Sequence, residues 1–187
     1  MIILEDTDFI AKGNERACYL YPENPNKTIK ITFENNKRKK NKQSKIEIKY
    51  YKQLSKRGFS NWKHLPQYFG EIKTNKGSGF VVELIRDYDG EISKSFEYYL
   101  KQNGKQAYEK ELNEYKQYFL DTCIIFNYGM MPKNILLRKN SENNFDLVLI
   151  DGLGDVAHLT IQNKIPYFAR KRILRRWEKF IKKYIEL

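Results

Sequence analysis

The sequence predicts an α+β fold in which a β-rich first half is followed by an α-rich second half. Up to about residue 88, short alternating or apolar stretches separated by turn-forming residues dominate, with a single helical pattern among them. From about residue 89 onward, apolar residues recur at helical spacing, and one pair of short apolar stretches interrupts them. We therefore expect the 187 residues to form one domain with two lobes, about 1–88 and about 89–187.

The first half is predicted to hold five strands joined by short turns. Glycine, proline and asparagine mark these turns, because they favour the backbone angles of tight connections. The predicted strands cover residues 8–12, 17–21, 28–33, 66–73 and 79–85, and the predicted turns cover 13–16, 22–26 and 74–78.

One helix is predicted among these strands. Ser44 is a suitable N-cap, the helix is expected to run to about Arg57, and Gly58 follows as a stop signal. Glu47 lies on the apolar face of this helix, which is unusual for a carboxylate. The apolar residues of that face are Tyr50, Tyr51 and Leu54.

The second half is predicted to be mostly helical. Helices are expected over 93–102, about 107–126 and about 166–184, with two short strands at 135–137 and 147–150. The expected apolar face of the middle helix consists of Tyr115, Phe119, Leu120 and Cys123. The expected apolar stripe of the last helix consists of Ile173, Leu174, Trp177, Phe180, Ile181 and Tyr184.

The composition indicates an anionic partner. The formal net charge is +12 and the sequence pI is about 9.5. Such a charge suits a nucleotide, nucleic acid, a phosphorylated glycan or an acidic membrane surface. The basic residues concentrate in two runs, 37–42 and 164–183, although a solvated loop and the wet face of a helix have the same pattern.

Several other classes of protein are disfavoured. No apolar run approaches the roughly 20 residues of a membrane span, and the acidic residues 1–8 do not resemble a signal peptide. Cys18 and Cys123 are interpreted as reduced, buried thiols of a cytoplasmic protein. His64 and His158 have no Cys or carboxylate neighbours at metal-binding spacing, and His64 is interpreted as a loop residue.

Five residues suited to phosphoryl transfer follow one another along the chain. That chemistry requires a backbone loop over the phosphates, a lysine on them, a carboxylate that steadies the lysine, and oxygen ligands for Mg²⁺. Each residue alone has an ordinary interpretation as a solvated lysine, a turn residue or a strand terminator. The candidates are, in order, Gly13, Lys30, Glu47, Asn134 and Asp151.

The order of these residues suggests specific roles in binding ATP and Mg²⁺. Lys30 alternates with apolar strand neighbours, so its side chain is expected on the opposite face of the sheet from theirs. Glu47 is expected to pair with Lys30 on that opposite face. Asn134 and Asp151 are the expected Mg²⁺ ligands. The backbone from Glu83 to Ile85 is expected to receive the adenine.

The sequence resembles the YrbL family, named for the PhoP regulatory network, over nearly the whole chain from about residue 8 to about 183. The residues that carry the resemblance are Gly13–Tyr19, Ile29–Ile31, Glu47–Tyr51, Pro132–Leu136 and Asp151–Gly154. The resemblance implies a single protein-kinase-like domain with a β-rich N-lobe and a short, truncated α-rich C-lobe. It also implies nucleotide binding in an interlobe cleft and a bacterial cytoplasmic setting, but no established substrate.

The sequence departs from ordinary protein kinases in ways that leave activity open. Gly13 stands alone rather than in a spaced trio, Gly129 occupies the position of the expected catalytic Asp, and no Ala-Pro-Glu segment follows Asp151. A missing base costs roughly 10² to 10⁴ in rate without forbidding the reaction. The alternatives are an atypical phosphotransferase, with Asp155 as the nearest spare acid, an adenylyl transferase, or a pseudokinase-like regulator.

A second class of function uses the basic C-terminal helix instead. The chain would then be a noncatalytic module that binds nucleic acid or an anionic surface, with binding that falls steeply with salt. Trp177, Phe180 and Tyr184 lie at core spacing, which disfavours stacking on bases. A third interpretation joins the two, with basic faces that recruit an anionic acceptor, such as a phosphorylated glycan, or a regulatory protein partner. The sequence leaves the oligomeric state open.

Overall fold

The computed structural model describes residues 1–13, 16–33, 42–127, 130–154 and 165–186, and these residues form an α+β fold, as predicted. The described strands are β1 (Phe9–Lys12), β2 (Arg16–Tyr21), β3 (Asn24–Thr32), β4 (Tyr68–Thr74), β5 (Gly77–Glu83), β6 (Ile135–Ser141) and β7 (Asn144–Leu149). The described α-helices are α1 (Lys42–Lys56), α2 (Phe96–Asn103), α3 (Glu109–Thr122) and α4 (Pro166–Phe180).

The chain divides into two compact units. The first comprises Met1–Trp62 and Pro66–Ile85, and the second comprises Lys63–Leu65 and Arg86–Leu187. The first unit contains β1–β5 and α1, whereas the second contains β6, β7 and α2–α4. Among the described residues, no helix combines the length and the apolar character that a membrane span requires.

The sheet of the first unit is antiparallel, in the order β1-β2-β3-β5-β4. The N-terminal segment covers one face of this sheet, where Leu4 packs with Ile29, Ile31 and Val81 in a buried cluster. The amide of Leu4 donates to Asn75 Oδ1 at 2.8 Å, which ties this segment to the turn after β4. The sequence shows no periodicity that predicts this packing.

Helix α1 packs on the opposite face of the sheet. Its Tyr51 is 1% exposed and stacks on Tyr68 of β4, with ring centroids 5.1 Å apart. The helix begins at Lys42, so the prediction that Ser44 is its N-cap is wrong, and Ser44 is instead a buried residue within the helix. The predicted stop is confirmed, because Gly58 adopts a left-handed backbone with φ of 66°.

Strands β3 and β5 begin earlier than predicted. Strand β3 starts at Asn24 after a tight turn, because the ladder with β2 continues across a register shift near Tyr21. Such an irregularity accommodates Pro25, which cannot donate a ladder hydrogen bond. Strand β5 starts at Gly77, whose φ of 121° permits a two-residue turn after β4.

Helices α2 and α3 of the second unit are shorter than predicted. Helix α2 starts after Ser95, whose side chain accepts from the Tyr98 amide, and α3 ends where Cys123 adopts a left-handed backbone with φ of 53°. Leu120 and Cys123 are only partly buried, so the predicted face of α3 is partly wrong. The buried residues of α3 are Leu112, Tyr115, Tyr118 and Phe119.

The last helix has the predicted extent but a different buried face. Helix α4 continues into a π-helical turn, Ile181–Ile185. The prediction that Leu174 is buried is wrong, since it is 38% exposed, whereas Arg176 is 4% exposed. A guanidinium N–H of Arg176 donates to the Phe126 carbonyl, which satisfies one hydrogen-bond donor of this buried side chain. The predicted apolar stripe did not include Arg176.

Candidate functional site

The strand registers of the first unit bring the side chains of Arg16, Lys30 and Phe80 together on the α1 face of the sheet. Lys30 of β3 lies opposite Cys18 of β2 and opposite Phe80 of β5. Arg16 is two residues before Cys18, so the alternation of β2 places it on the same face. The site is therefore built on three central strands rather than on loops.

A buried carboxylate connects the two cations. Lys30 Nζ lies 3.2 Å from Glu47 Oε1, which is the pairing expected from the sequence, and Arg16 Nη2 lies 2.8 Å from Glu47 Oε2. Glu47 is 0% exposed, Lys30 is 5% exposed and Arg16 is 7% exposed. We call these three residues the ion triad.

The ion triad has an aromatic wall. Phe80 is fully buried, and its ring centroid lies 5.6 Å from Lys30 Nζ and 5.9 Å from the Arg16 guanidinium carbon. Within the triad, the two cations share one carboxylate.

Arg16 was not among the predicted site residues, because the turn assigned to 13–16 included it. In the structure, Arg16 is the first residue of β2 and lies opposite Thr32. A signal was available, since Arg16 directly precedes the predicted strand 17–21 and shares its alternation with Cys18.

A glycine sets the distance between the strands at the site. A Cβ added at Gly79 would lie 2.4 Å from the Lys30 carbonyl oxygen, well inside van der Waals contact. Any side chain at Gly79 would therefore push β5 away from β3 and displace the backbone that carries Lys30.

The predicted phosphate loop and adenine segment have defined backbone roles. The Gly13 amide donates to the Arg16 carbonyl at 2.8 Å, while the loop residues 14–15 lie outside the described part of the chain. The amides of Glu83 and Leu84 donate to the carbonyls of Gln67 and Asn26, each at 2.9 Å, and Ile85 is buried. The first two amides of the expected adenine segment are therefore engaged within the fold.

In the second unit, the β6–β7 hairpin brings the two predicted metal ligands to the same end. Ile135 pairs with Leu149, and the Ile150 amide donates to the Asn134 carbonyl at 3.0 Å. Asn134 therefore lies beside the start of the segment that carries Asp151. Both side chains are partly buried.

A second asparagine ties the preceding loop to the Asp151 segment. The Asn127 amide donates to the Gly152 carbonyl at 2.8 Å, and a Cβ at Gly152 would lie 3.0 Å from Asn127 Oδ1. Gly152 has a φ of 96°, which favours glycine independently. Asn127 was not among the predicted site residues, because a non-local backbone pairing determines its position. Gly129 and Asp155 lie outside the described residues.

The donor types of this hairpin fit magnesium held together with phosphates. Within the described ranges, no group of three or more His, Cys, Asp or Glu side chains is placed to hold a metal ion. The Asp151 carboxylate and the Asn134 amide both supply oxygen donors. Mg²⁺ commonly takes one or two protein oxygen ligands and completes its shell with water and phosphate oxygens, so two donors suffice.

His64 and the two cysteines have structural surroundings. His64 is a loop residue, as predicted, but it is 2% exposed. Its Nδ1 lies 2.6 Å from the Leu147 carbonyl oxygen, and its ring makes an edge contact with Tyr118. Burial lowers the pKa of His64 below its ordinary value. Cys18 and Cys123 are free thiols, although they are partly rather than fully buried.

The basic face of α4 is separate from its aromatic face. Trp177 is 6% and Phe180 is 3% exposed, so these rings are packed and do not offer a stacking surface for bases. The exposed basic residues of α4 and the turn after it are Arg170, Lys171, Arg175, Lys179, Lys182 and Lys183. Of the other basic run, residues 37–41 lie outside the described chain.

Comparisons with known proteins agree on one family. The family described as PhoP regulatory network protein YrbL matches residues 2–185. A protein of Escherichia coli (strain K12) named "Uncharacterized protein YrbL" is 28% identical over 188 residues, which cover 97% of this chain and 87% of that relative. The protein of the same name from Shigella flexneri gives the same identity and coverage. The chain therefore belongs to the PhoP regulatory network protein YrbL family.

Proposed function

We propose that this chain has a protein-kinase-like fold and binds ATP with Mg²⁺. The observation that carries the proposal is the buried ion triad, in which Glu47 holds Lys30 on the face of a sheet. A lysine that contacts nucleotide phosphates needs such a carboxylate to fix its direction. The bacterial cytoplasmic setting belongs to the same proposal.

Each candidate residue has a role in this proposal. Lys30 contacts the phosphates, Glu47 orients Lys30, and Arg16 holds the second oxygen of Glu47. Asp151 and Asn134 would hold Mg²⁺, which neutralises phosphate charge when bound. The proposal requires both sets of residues to serve one nucleotide–metal complex.

Two outcomes of nucleotide binding remain within the proposal. With Gly129 at the position of the expected base, the chain is either an atypical phosphotransferase, for phosphoryl or adenylyl groups, or a pseudokinase-like regulator with a protein partner. Phosphoryl transfer relies more on alignment and charge than on a base, so the Gly129 position does not decide between them.

Nucleotide binding is tested by thermal unfolding with ATP and Mg²⁺. Ligand at about 100 times its Kd adds about 2.7 kcal/mol of stability, which raises Tm by roughly 5–10 °C for a chain of this size. Lys30→Met and Asp151→Asn should each abolish the shift, whereas Lys27→Met on the same strand and Asp121→Asn on α3 should preserve it. A wild-type Tm that does not respond to millimolar ATP with Mg²⁺ would overturn the proposal.

The exposed basic side chains of α4 favour a second candidate, a module that binds nucleic acid or an anionic surface. Such binding should weaken steeply with salt. It should survive Lys30→Met and fail in Arg175→Glu with Lys182→Glu, because both side chains are exposed. Arg176 is unsuitable for this test, since it is buried and bonded to the backbone.

A further inference from the structure

Residues 125–127 of the second unit pair with residues 152–154, which directly follow Asp151. Phe126 forms an antiparallel bridge with Leu153. Two backbone hydrogen bonds flank this bridge, and each is 2.8 Å long. They run from the Asn127 amide to the Gly152 carbonyl and from the Gly154 amide to the Ile125 carbonyl. We call residues 125–127 the support segment.

The backbone is held on both sides of Asp151. Before it, the Ile150 amide donates to the Asn134 carbonyl at 3.0 Å. After it, the Gly152 carbonyl accepts from the support segment. The place of Asp151 in the second unit therefore depends on the support segment as well as on the β6–β7 hairpin.

One arginine of α4 holds the support segment. Arg176 is 4% exposed, and its guanidinium donates to the carbonyl of Phe126, the central residue of the segment. The ring of Phe126 is buried as well, with its centroid 4.9 Å from that of Phe119 in α3. A charged donor makes a stronger hydrogen bond than a neutral one. The bond from Arg176 therefore restrains the backbone that pairs with residues 152–154.

We propose that Arg176 is a positioning residue for the candidate metal site. By holding the support segment, it sets where Asp151 presents its carboxylate to Mg²⁺. This inference rests on the proposed function, in which Asp151 is a metal ligand. Groups that hold a metal ligand without touching the metal commonly change metal affinity by roughly 10–100-fold when they are removed.

An ordinary role for Arg176 is to tie α4 to the rest of the second unit. That role predicts a loss of stability without a specific change at the metal site. A positioning role predicts faster local opening of the support segment and weaker binding of Mg²⁺. Local exchange and metal dependence therefore separate the two roles, whereas Tm alone does not.

Arg170 offers a matched control, because it makes the same kind of bond elsewhere. It lies on the same helix, and its Nε donates to the Leu120 carbonyl at 3.0 Å. Leu120 belongs to α3 and not to the support segment. Arg170→Met therefore removes a bond from α4 to a backbone carbonyl and leaves the Phe126 carbonyl with its donor.

The first measurement is amide hydrogen exchange of the full chain without nucleotide or metal. In Arg176→Met, the Asn127 and Gly154 amides should exchange about tenfold faster relative to the Ile150 amide, because the support segment loses a restraining bond. Taking the ratio to Ile150 removes the effect of a change in global stability. Arg176→Lys keeps a charged donor and should preserve most of the protection, and Arg170→Met should preserve all of it.

The second measurement is the Kd of ATP, with Mg²⁺ and with EDTA. In Arg176→Met, the tightening of ATP binding by Mg²⁺ should fall by about tenfold. The Kd in EDTA should stay unchanged, because Lys30 and Glu47 keep their contact. Arg176→Lys should restore most of the tightening, and Arg170→Met should match the wild type in both conditions.

Three results would overturn the assignment. They are unchanged relative exchange in Arg176→Met, equal effects of Arg170→Met, and a Kd that rises by the same factor with Mg²⁺ and with EDTA. If Arg176→Met does not fold, Arg176→Gln takes its place, with the same expected directions. A wild type that does not bind ATP with Mg²⁺ would overturn the proposed function itself. Failure of the positioning role alone is distinguishable, because the exchange measurement uses neither ligand.

Discussion

Removing the charge of Glu47 should destabilise the chain more than removing either of its cationic partners. In Glu47→Gln, the side chain keeps its shape, but Arg16 and Lys30 become two buried cations without their shared carboxylate. In Lys30→Met or Arg16→Met, the remaining cation keeps its contact with Glu47. The order of the three effects therefore follows from the number of triad contacts that each change removes.

The magnitudes can be estimated from the burial of the triad. Breaking a buried ion pair by removing one partner costs about 3–5 kcal/mol, and Glu47→Gln takes a fully buried carboxylate, 0% exposed, from both of its cations. Lys30→Met loses a charge-assisted hydrogen bond of about 1.5–3 kcal/mol. With roughly 2–4 °C per kcal/mol for a chain of this size, Glu47→Gln should lower Tm by about 6–20 °C.

The assay is equilibrium unfolding in urea, with the slope compared between variants. Glu71→Gln is the matched control, because Glu71 pairs with Lys52 in the same unit while half-exposed, and its loss should change stability little. The reasoning would be refuted if Glu47→Gln cost no more than Lys30→Met, or no more than Glu71→Gln. A double variant of Lys30 and Glu47 should be less destabilised than the sum of its single variants.

Three further predictions concern backbone and protonation. Gly79→Ala should cost about 1–3 kcal/mol in urea unfolding, because its Cβ would meet the Lys30 carbonyl at 2.4 Å, whereas Gly13→Ala, with 3.7 Å to its nearest neighbour, should be nearly neutral. Gly152→Ala should cost more than Gly90→Ala, because both have positive φ but only Gly152 meets a side chain within 4 Å; equal costs would contradict this. His64 has a lowered pKa in the folded state, so the unfolded chain binds a proton first as pH falls below about 6.5, and folding stability should fall there by at most about 1.4 kcal/mol per pH unit. His64→Asn should flatten this dependence of the unfolding free energy on pH. An unchanged dependence would contradict the lowered pKa of His64.

The Lys30–Glu47 pairing was predictable because two local periodicities determine it. The period of two in β3 turns Lys30 away from Ile29 and Ile31, and the helical period of α1 places Glu47 on its buried face. A buried carboxylate needs a cation as its partner. Lys30 lies in the predicted strand that precedes α1, on the face opposite its apolar strand neighbours.

The residues that the sequence did not reveal depend on non-local pairing. Asn127 acquires its position from the Phe126–Leu153 bridge and the bond to Gly152, which no local pattern encodes. Arg176 was grouped with solvated cations, because its burial depends on the Phe126 carbonyl of a distant loop. Leu4 packs under the sheet although residues 1–5 have no strand or helix period.

A buried ion triad is an unusual way to stabilise a sheet, and this supports a functional reason for it. Replacing buried charges by apolar residues of similar volume is often neutral or stabilising. Phe80 already provides an apolar wall, so Arg16→Met, Lys30→Met and Glu47→Leu together should leave the unfolding free energy unchanged or raise it. The same triple variant should lose the Tm shift with ATP and Mg²⁺, because no cation remains at the triad. Strong destabilisation of the triple variant would mean that the charges hold the fold itself, and the triad would then no longer support a nucleotide site.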